Sequence, residues 1–278
     1  MNTDYLVSLF GLEGKVAFVT GGGGGLFSEV SKGLARAGAT VVVAALTDKR
    51  SRGVAEQIRA EGGAATICKV DVLDREAVEE ALHATLEQYG RVDILINGAG
   101  GNRPEASASP ELPFFDLPEE ALRWVFDLNL MGTVIPCQAF GRQMAQQEEG
   151  VILNVASMAA ARPLTNVVAY SAAKAAVVNF TQWLATHMSQ NYSTRIRVNA
   201  LMPGFFLGRQ NRYLLIDEDT GEWTQRAKQI LSHTPMGRLG TPESDLVGTV
   251  LWLVSAASEF VHGAVVPVDG GFSAYSGV

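Results

Sequence analysis

The sequence predicts an α/β fold in which a parallel sheet of about seven strands is doubly wound, with helices on both faces. Three observations carry this. Short β-branched runs recur along the whole chain, segments of helical period separate them, and the chemically unusual residues fall just after the runs. Strands that alternate with helices pair in parallel through right-handed crossovers. In such a sheet the ligand crevice lies at the carboxyl ends of the strands.

Strands are expected at 15–20, 40–46, 64–70, 92–97, 151–156, 196–200 and 264–268, and helices at 29–37, 75–89, 169–188 and 243–257. The first strand runs into Gly21 to Gly25 and Leu26. The second runs out through Ala44, Ala45 and Leu46 into Thr47, Asp48, Lys49 and Arg50. The third ends at Asp71 and Val72, the fourth at Asn97, Gly98 and Ala99, and the fifth at Ser157. The sixth is followed by Pro203 and Gly204 and then by a segment, 204–235, placed to form a lid. All these strand ends should converge on one crevice.

Bulk properties agree with this plan. The 278 residues are 47% hydrophobic and 18% charged, which suits a large core and argues against disorder. No low-complexity linker divides them, so residues 1–278 are expected to form one dinucleotide-binding and catalytic domain. A formal charge of -7 does not supply the basic surface that nucleic acid requires. Cys68 and Cys137 both lie in apolar stretches and read as ordinary buried thiols, with no metal site. No basic start with a long apolar run marks a secretory signal, and no later stretch is apolar enough to span a membrane. A cytoplasmic protein is expected.

A glycine run between a strand and a helix is the context of a phosphate-binding loop. Its glycines let the backbone approach a pyrophosphate, and the helix start offers unpaired N–H groups. Gly21, Gly23, Gly24, Gly25 and Leu26 are therefore expected at the cofactor. Asp71 can accept a hydrogen bond from an adenine amino group, or can cap the next helix. Asn97, Gly98 and Ala99 allow close approach to a ribose. At the second strand an acidic residue would read the ribose diol of NAD and a basic one the 2′-phosphate of NADP. Asp48 suits the first and Arg50 the second, so NAD and NADP both stay open.

Tyr170 and Lys174 are four residues apart, hence one turn apart on one helix face. An ammonium beside a phenol lowers the phenol pKa and makes an acid/base of it. Ser157, at the end of the fifth strand, can hydrogen-bond the same substrate oxygen.

The glycine loop, Asn97, Asn129 in Leu128-Asn129-Leu130, Ser157 thirteen residues before Tyr170, Lys174, Pro203-Gly204 and Asp269-Gly270-Gly271 stand in one order along nearly the whole chain. In this the chain resembles the short-chain dehydrogenase/reductase family. The resemblance implies a Rossmann-like fold, an NAD- or NADP-dependent oxidoreductase, and a catalytic tetrad of Asn129, Ser157, Tyr170 and Lys174. In that set Tyr170 is the acid/base, Ser157 polarises the carbonyl, Lys174 holds the nicotinamide ribose, and Asn129 anchors a relay water. It also implies cofactor contacts from Val72, Pro203, Gly204 and Phe206, and a homotetramer. The chain departs from the family in Phe27, where a third glycine usually closes the loop, in Gly98, where a second Asn is common, and in Gly208, where a Thr often stands.

Further segments narrow the resemblance. Gly100-Gly101-Asn102, Phe126 to Asn129, Asn179 to Ala185, Pro203 to Phe206, His233 to Arg238 and the ending Val268 to Val278 are similar to the D-mannonate oxidoreductase (fructuronate reductase) branch. The resemblance implies a sugar-acid substrate. A carboxylate is held well by the guanidinium fork of Arg. Arg212, Arg209, Arg103 and Arg162 are candidates for it, with Asn102, Asn211 and Gln210 for hydroxyls, and Arg212 and Asn211 first among them. His233 can join them or be structural. Two other readings stay open: another sugar-acid or polyol dehydrogenase such as a gluconate 5-dehydrogenase, and a catalytically silent nucleotide-binding protein.

Overall fold

The structure, a computed structural model, describes residues 2–208 and 212–277. Seven strands form one parallel sheet: β1 (Val16–Thr20), β2 (Thr40–Ala45), β3 (Ala65–Lys69), β4 (Ile94–Asn97), β5 (Gly150–Val155), β6 (Ile196–Pro203) and β7 (Val265–Val268). Their order is β3-β2-β1-β4-β5-β6-β7, so the strand order reverses between β1 and β4. A crevice opens there at the carboxyl ends. In register, Thr20 stands beside both Ala44 and Asn97, and Asn97 beside Asn154.

The connecting helices are α1 (Thr3–Phe10), α2 (Gly25–Arg36), α3 (Asp48–Ala60), α4 (Arg75–Tyr89), α5 (Glu119–Gln147), α6 (Val168–Asn191), α7 (Arg212–Leu215), α8 (Gln225–Ser232) and α9 (Val247–Val254). Two apolar cores lie on the two sheet faces. One, around Val19, Leu34, Ile96 and Leu253, packs under α2, α3 and α9. The other, around Phe18, Leu95, Phe140 and Ile152, packs under α4, α5 and α6. Burial on both faces is what makes the strands read as continuous apolar runs.

Three elements differ from the sequence reading, each for a physical reason. Helix α2 starts at Gly25, four residues before the expected start, because the loop itself turns into the helix with Gly24 as N-cap. Strand β6 runs on to Pro203, since β7 supplies partners from Ala200 to Pro203. The helix expected at 243–257 is divided: a π-turn at Pro242–Leu246 precedes α9, and a 3₁₀ turn at Ala256–Ser258 follows it. The buried Arg197 guanidinium donates to the carbonyls of Leu253 and Ser255, at 3.0 and 3.1 Å. These bonds close the end of α9 where propensity would continue it. No helix among the described residues is long and apolar enough to cross a membrane.

The segment expected to form a lid carries α7 and α8 and a small core of its own, with Leu215, Ala227, Ile230 and Leu239 buried against Phe205 and Leu207. Thr224 caps α8 through the Ala227 N–H, and Thr234 closes it on the Ile230 carbonyl.

Candidate active site

A cleft of ≈ 520 Å³ runs over the carboxyl ends of β1, β2, β4 and β5, a size that suits an extended small molecule. Gly21, Gly23, Gly24, Gly25 and Leu26 line one part of it, with Asp71, Val72, Gly98 and Ala99 beside them. Ser157, Tyr170, Lys174, Pro203 and Gly204 line the other.

The glycine loop is built for close approach. Gly21 has φ +67, and a Cβ there would lie 2.7 Å from the Gly98 carbonyl oxygen, so only glycine fits. Gly24 caps α2 without any side-chain bond to the helix start. The first N–H groups of α2 are thus left for an anion, which is what a pyrophosphate requires. Asp74, and not Asp71, caps α4, accepting from Glu76 and Ala77. Asp71 is bonded through Oδ1 to the Leu73 N–H and presents its remaining acceptors to the cleft.

Two departures from the family pattern fit each other. The Phe27 ring is buried, and a Cβ on Gly98 would lie 2.8 Å from its Cγ. A large residue at 27 therefore requires a small one at 98.

Some expected contacts fall elsewhere. Asp48 is the first residue of α3 and does not line the cleft, whereas Leu46, Thr47 and Arg50 do. Asn97 turns its amide away, donating to Asn154 Oδ1 at 2.9 Å and to Cys137 Sγ at 3.1 Å. It braces β4 against β5 and α5. The Phe206 ring is buried at Gly240, in a second hollow beside the cleft. Asn102 and Arg103 lie just past the lining. Arg162 donates to the Ser273 carbonyl, and His233 bonds the Gln229 carbonyl and packs on Phe272 and Tyr275. Arg212 is exposed at the start of α7. Arg209, Gln210 and Asn211 lie outside the described residues.

At the chemical end, Ser157 follows β5 and its hydroxyl stands near that of Tyr170, one helix away on α6. Ser157 Oγ also accepts from the Ala159 N–H at 3.1 Å, which fixes its rotamer. Lys174 is 3% exposed and donates to the Val155 carbonyl at 2.7 Å, with Nζ 5.8 Å from the Tyr170 ring centroid. Asn129 is fully buried in α5. Its amide donates to the Val125 and Gly101 carbonyls, both at 2.7 Å, and accepts from the Gly101 N–H at 3.1 Å. It clamps the loop after β4 against α5 and leaves one Oδ1 lone pair for a water. A Cβ on Gly100 would meet both Asn129 Oδ1 and Lys174 Nζ, at 2.7 and 3.2 Å, so this glycine lets the lysine and the clamp meet.

The electrostatics correct one expectation. Burial pushes the Tyr170 phenol up, against a smaller downward pull from the nearby Ser157 hydroxyl. Burial also pushes the Lys174 ammonium down, to about 8, while one of its N–H groups donates to the Val155 carbonyl. Tyr170 is therefore a protonated phenol at neutral pH. That form can donate to a carbonyl oxygen.

Trp124 and Leu128, one helical turn apart on α5, also line the cleft. Their spacing marks a face of α5, a signal that the sequence reading did not use. Cys68 and Cys137 are free thiols, pushed by burial to about 11 and about 12.

A family model described as short chain dehydrogenase matches residues 15–218. The chain is 46% identical over 276 residues to "Uncharacterized oxidoreductase UxuB" of Bacillus subtilis, covering 96% of this chain and 98% of the relative. A crystal structure of a provisionally assigned D-mannonate oxidoreductase from Haemophilus influenza, with bound NAD, superposes with a TM-score of 0.91 at 43% identity, covering 98% of this chain and 100% of that one. A gluconate 5-dehydrogenase from Burkholderia cenocepacia, in complex with NADP and tartrate, gives 0.85 at 30% identity, over 97% of this chain and 99% of that one.

Proposed function

The chain belongs to the short-chain dehydrogenase family, and on that premise we propose that it interconverts D-mannonate and D-fructuronate. It is an NAD(P)-dependent oxidoreductase acting on alcohol groups. The observation that carries the substrate reading is the likeness, over 98% of the chain, to the H. influenza D-mannonate oxidoreductase. The tartrate-bound gluconate 5-dehydrogenase supports the wider class, a hydroxylated carboxylate.

The glycine cradle, the uncapped start of α2 and the acceptors of Asp71 fit a nicotinamide dinucleotide, with Pro203 and Gly204 at its nicotinamide end. The bound cofactor supplies or takes up hydride. The chain's own residues handle the proton. During reduction the Tyr170 phenol donates its proton to the substrate oxygen as Ser157 hydrogen-bonds the same atom. The Lys174 ammonium then returns a proton to the Tyr170 phenolate, and we propose that a water on Asn129 links Lys174 to solvent for its own reprotonation.

We further propose that residues 1–278 act as one catalytic domain in the cytoplasm. A homotetramer is proposed through α5 and α6, where Trp183 and Tyr192 are 57% and 56% exposed and Trp183 stacks between Phe180 and His187. A gluconate 5-dehydrogenase activity is the second reading, favoured by the B. cenocepacia structure. Purified enzyme assayed with NADH and NADPH against fructuronate, 5-ketogluconate and simple ketones separates them. Fructuronate is expected to be reduced most efficiently. Reduction of 5-ketogluconate alone would replace the first reading by the second, and no turnover of any ketone would favour a silent nucleotide-binding protein.

A further inference from the structure

Within the sugar-acid reading, we infer that Arg103, spread over the ring of Trp124, is the anchor for the substrate carboxylate. The guanidinium carbon lies 4.7 Å from the Trp124 ring centroid, and Trp124 lines the cleft that holds Ser157, Tyr170 and Lys174. Stacking fixes the plane of the fork and leaves its edge free, the arrangement in which two N–H groups can meet two carboxylate oxygens.

The backbone of Arg103 is held as firmly as that of the catalytic residues. The chain leaves the Lys174 contact at Gly100, is clamped by Asn129 at Gly101, and reaches Arg103 two residues later. The Arg103 carbonyl accepts from Asn102 Nδ2 and Ser107 Oγ, at 3.2 and 3.1 Å. The turn that follows, Pro104–Ala106, is pinned to α5 and α6 where Ala106 joins Ala121, Val125 and Ala169 in a small apolar cluster. Tyr170 packs against the same cluster, which the chain enters three residues after Arg103.

Its donors, by contrast, are not held by hydrogen bonds. Among the described residues no hydrogen bond from the Arg103 guanidinium is formed, and Nε is buried without an acceptor. The nearest carboxylate, Glu105, stands 4.0 Å from Nε and is 64% exposed, too far for a hydrogen bond and well solvated. A buried, unanswered guanidinium donor is costly unless something answers it. The alternatives are placed differently: Arg162 uses Nε on the Ser273 carbonyl, and Arg212 is exposed at the start of α7. The reacting carbonyl and a remote carboxylate would then be held at two ends of one cleft, the acid end supplying binding energy.

The test compares fructuronate with fructuronamide, in which a neutral amide replaces the carboxylate, in wild type, Arg103→Gln and Arg103→Lys. Wild type is expected to favour the acid by about 30-fold in kcat/KM, as for a hydrogen-bonded ion pair. Arg103→Gln should abolish that preference through KM, with kcat changed by less than about threefold, and Arg103→Lys should restore part of it. Trp124→Leu, which frees the fork, should fall between. Parallel losses on acid and amide would make Arg103 merely structural and overturn the anchor, as would an Arg103→Gln enzyme that still prefers the acid. Failure of wild type to turn over either compound would overturn the sugar-acid reading and the anchor together, an outcome distinct from loss of the anchor alone.

Discussion

The two ends of the cleft are built by opposite means. The nucleotide end is made of backbone: Gly21, the uncapped first turn of α2 and the loop at Gly98 present N–H groups and close approach, and side chains enter chiefly as volume. The chemical end is made of side chains drawn from different elements, with Asn129 on α5, Ser157 after β5, and Tyr170 and Lys174 on α6; hydrogen bonds fix Asn129, Ser157 and Lys174. Backbone recognition tolerates substitutions so long as volume is conserved, which is why Phe27 and Gly98 can both depart from the family together. Side-chain chemistry has no such latitude.

That contrast can be broken most directly at the chemical end. Tyr170→Phe removes one oxygen and should lower kcat by about 10²- to 10⁴-fold while the dissociation constant for the cofactor stays within about twofold, measured by steady-state kinetics and by cofactor titration. Unchanged turnover would remove Tyr170 from the proton transfer.

At the backbone end one methyl group should produce the reverse pattern. Gly21→Ala places a Cβ against the Gly98 carbonyl at positive φ, so cofactor affinity should fall by about tenfold or more, with kcat at saturating cofactor little changed. A fall confined to kcat would mean that the two ends are not separable.

The volume argument is sharpened by a double-mutant cycle on thermal or urea unfolding. Gly98→Ala should destabilise by about 2 kcal/mol, and Phe27→Ala should relieve part of that cost in the double variant. Relief should be partial, because the Thr20 carbonyl oxygen also lies 2.7 Å from the new Cβ. Strict additivity would show that the two departures are unrelated.

The smallest expected effect has an unusual sign. Burial holds Lys174 at about 8 in the folded chain against an ordinary 10.5. Between these values the unfolded chain binds the proton that the folded chain has released, so stability without cofactor should rise with pH across that window. Lys174→Met should abolish this rise and stabilise the protein at pH 7 by about 1–2 kcal/mol, after loss of the Val155 hydrogen bond, while activity collapses. A less stable variant would show that the ammonium is well solvated in the fold.

Much of the site was legible in the chain because its signals are local. A glycine run between strand and helix, a Ser at a strand end and a Tyr four residues before a Lys each have meaning within a few residues. Sequence spacing did not reveal which neighbour each polar group would face. Asn97 was expected to bring its backbone close to a ribose, and its side chain faces Asn154. The Tyr170 and Lys174 pair looked like a phenol tuned by an ammonium, yet the ammonium is turned to Val155 and burial dominates both. Trp124 belongs to no motif of the sequence, and it lines the cleft.

By itself the sequence determined the alternation of strands and helices, hence the parallel doubly wound sheet and the end of it at which ligands bind, because hydrophobic period and crossover handedness act over short stretches of chain. It also singled out Ser157, Tyr170 and Lys174, which the fold brings to one cleft. Only the tertiary structure decided the direction of the Tyr170 shift, the release of Asp71 from capping, the division of the last long helix by Arg197, and the pairing of Phe27 with Gly98. Each of these depends on desolvation or on contact between residues far apart in the chain, and those exist only once the sheet has closed over its two cores.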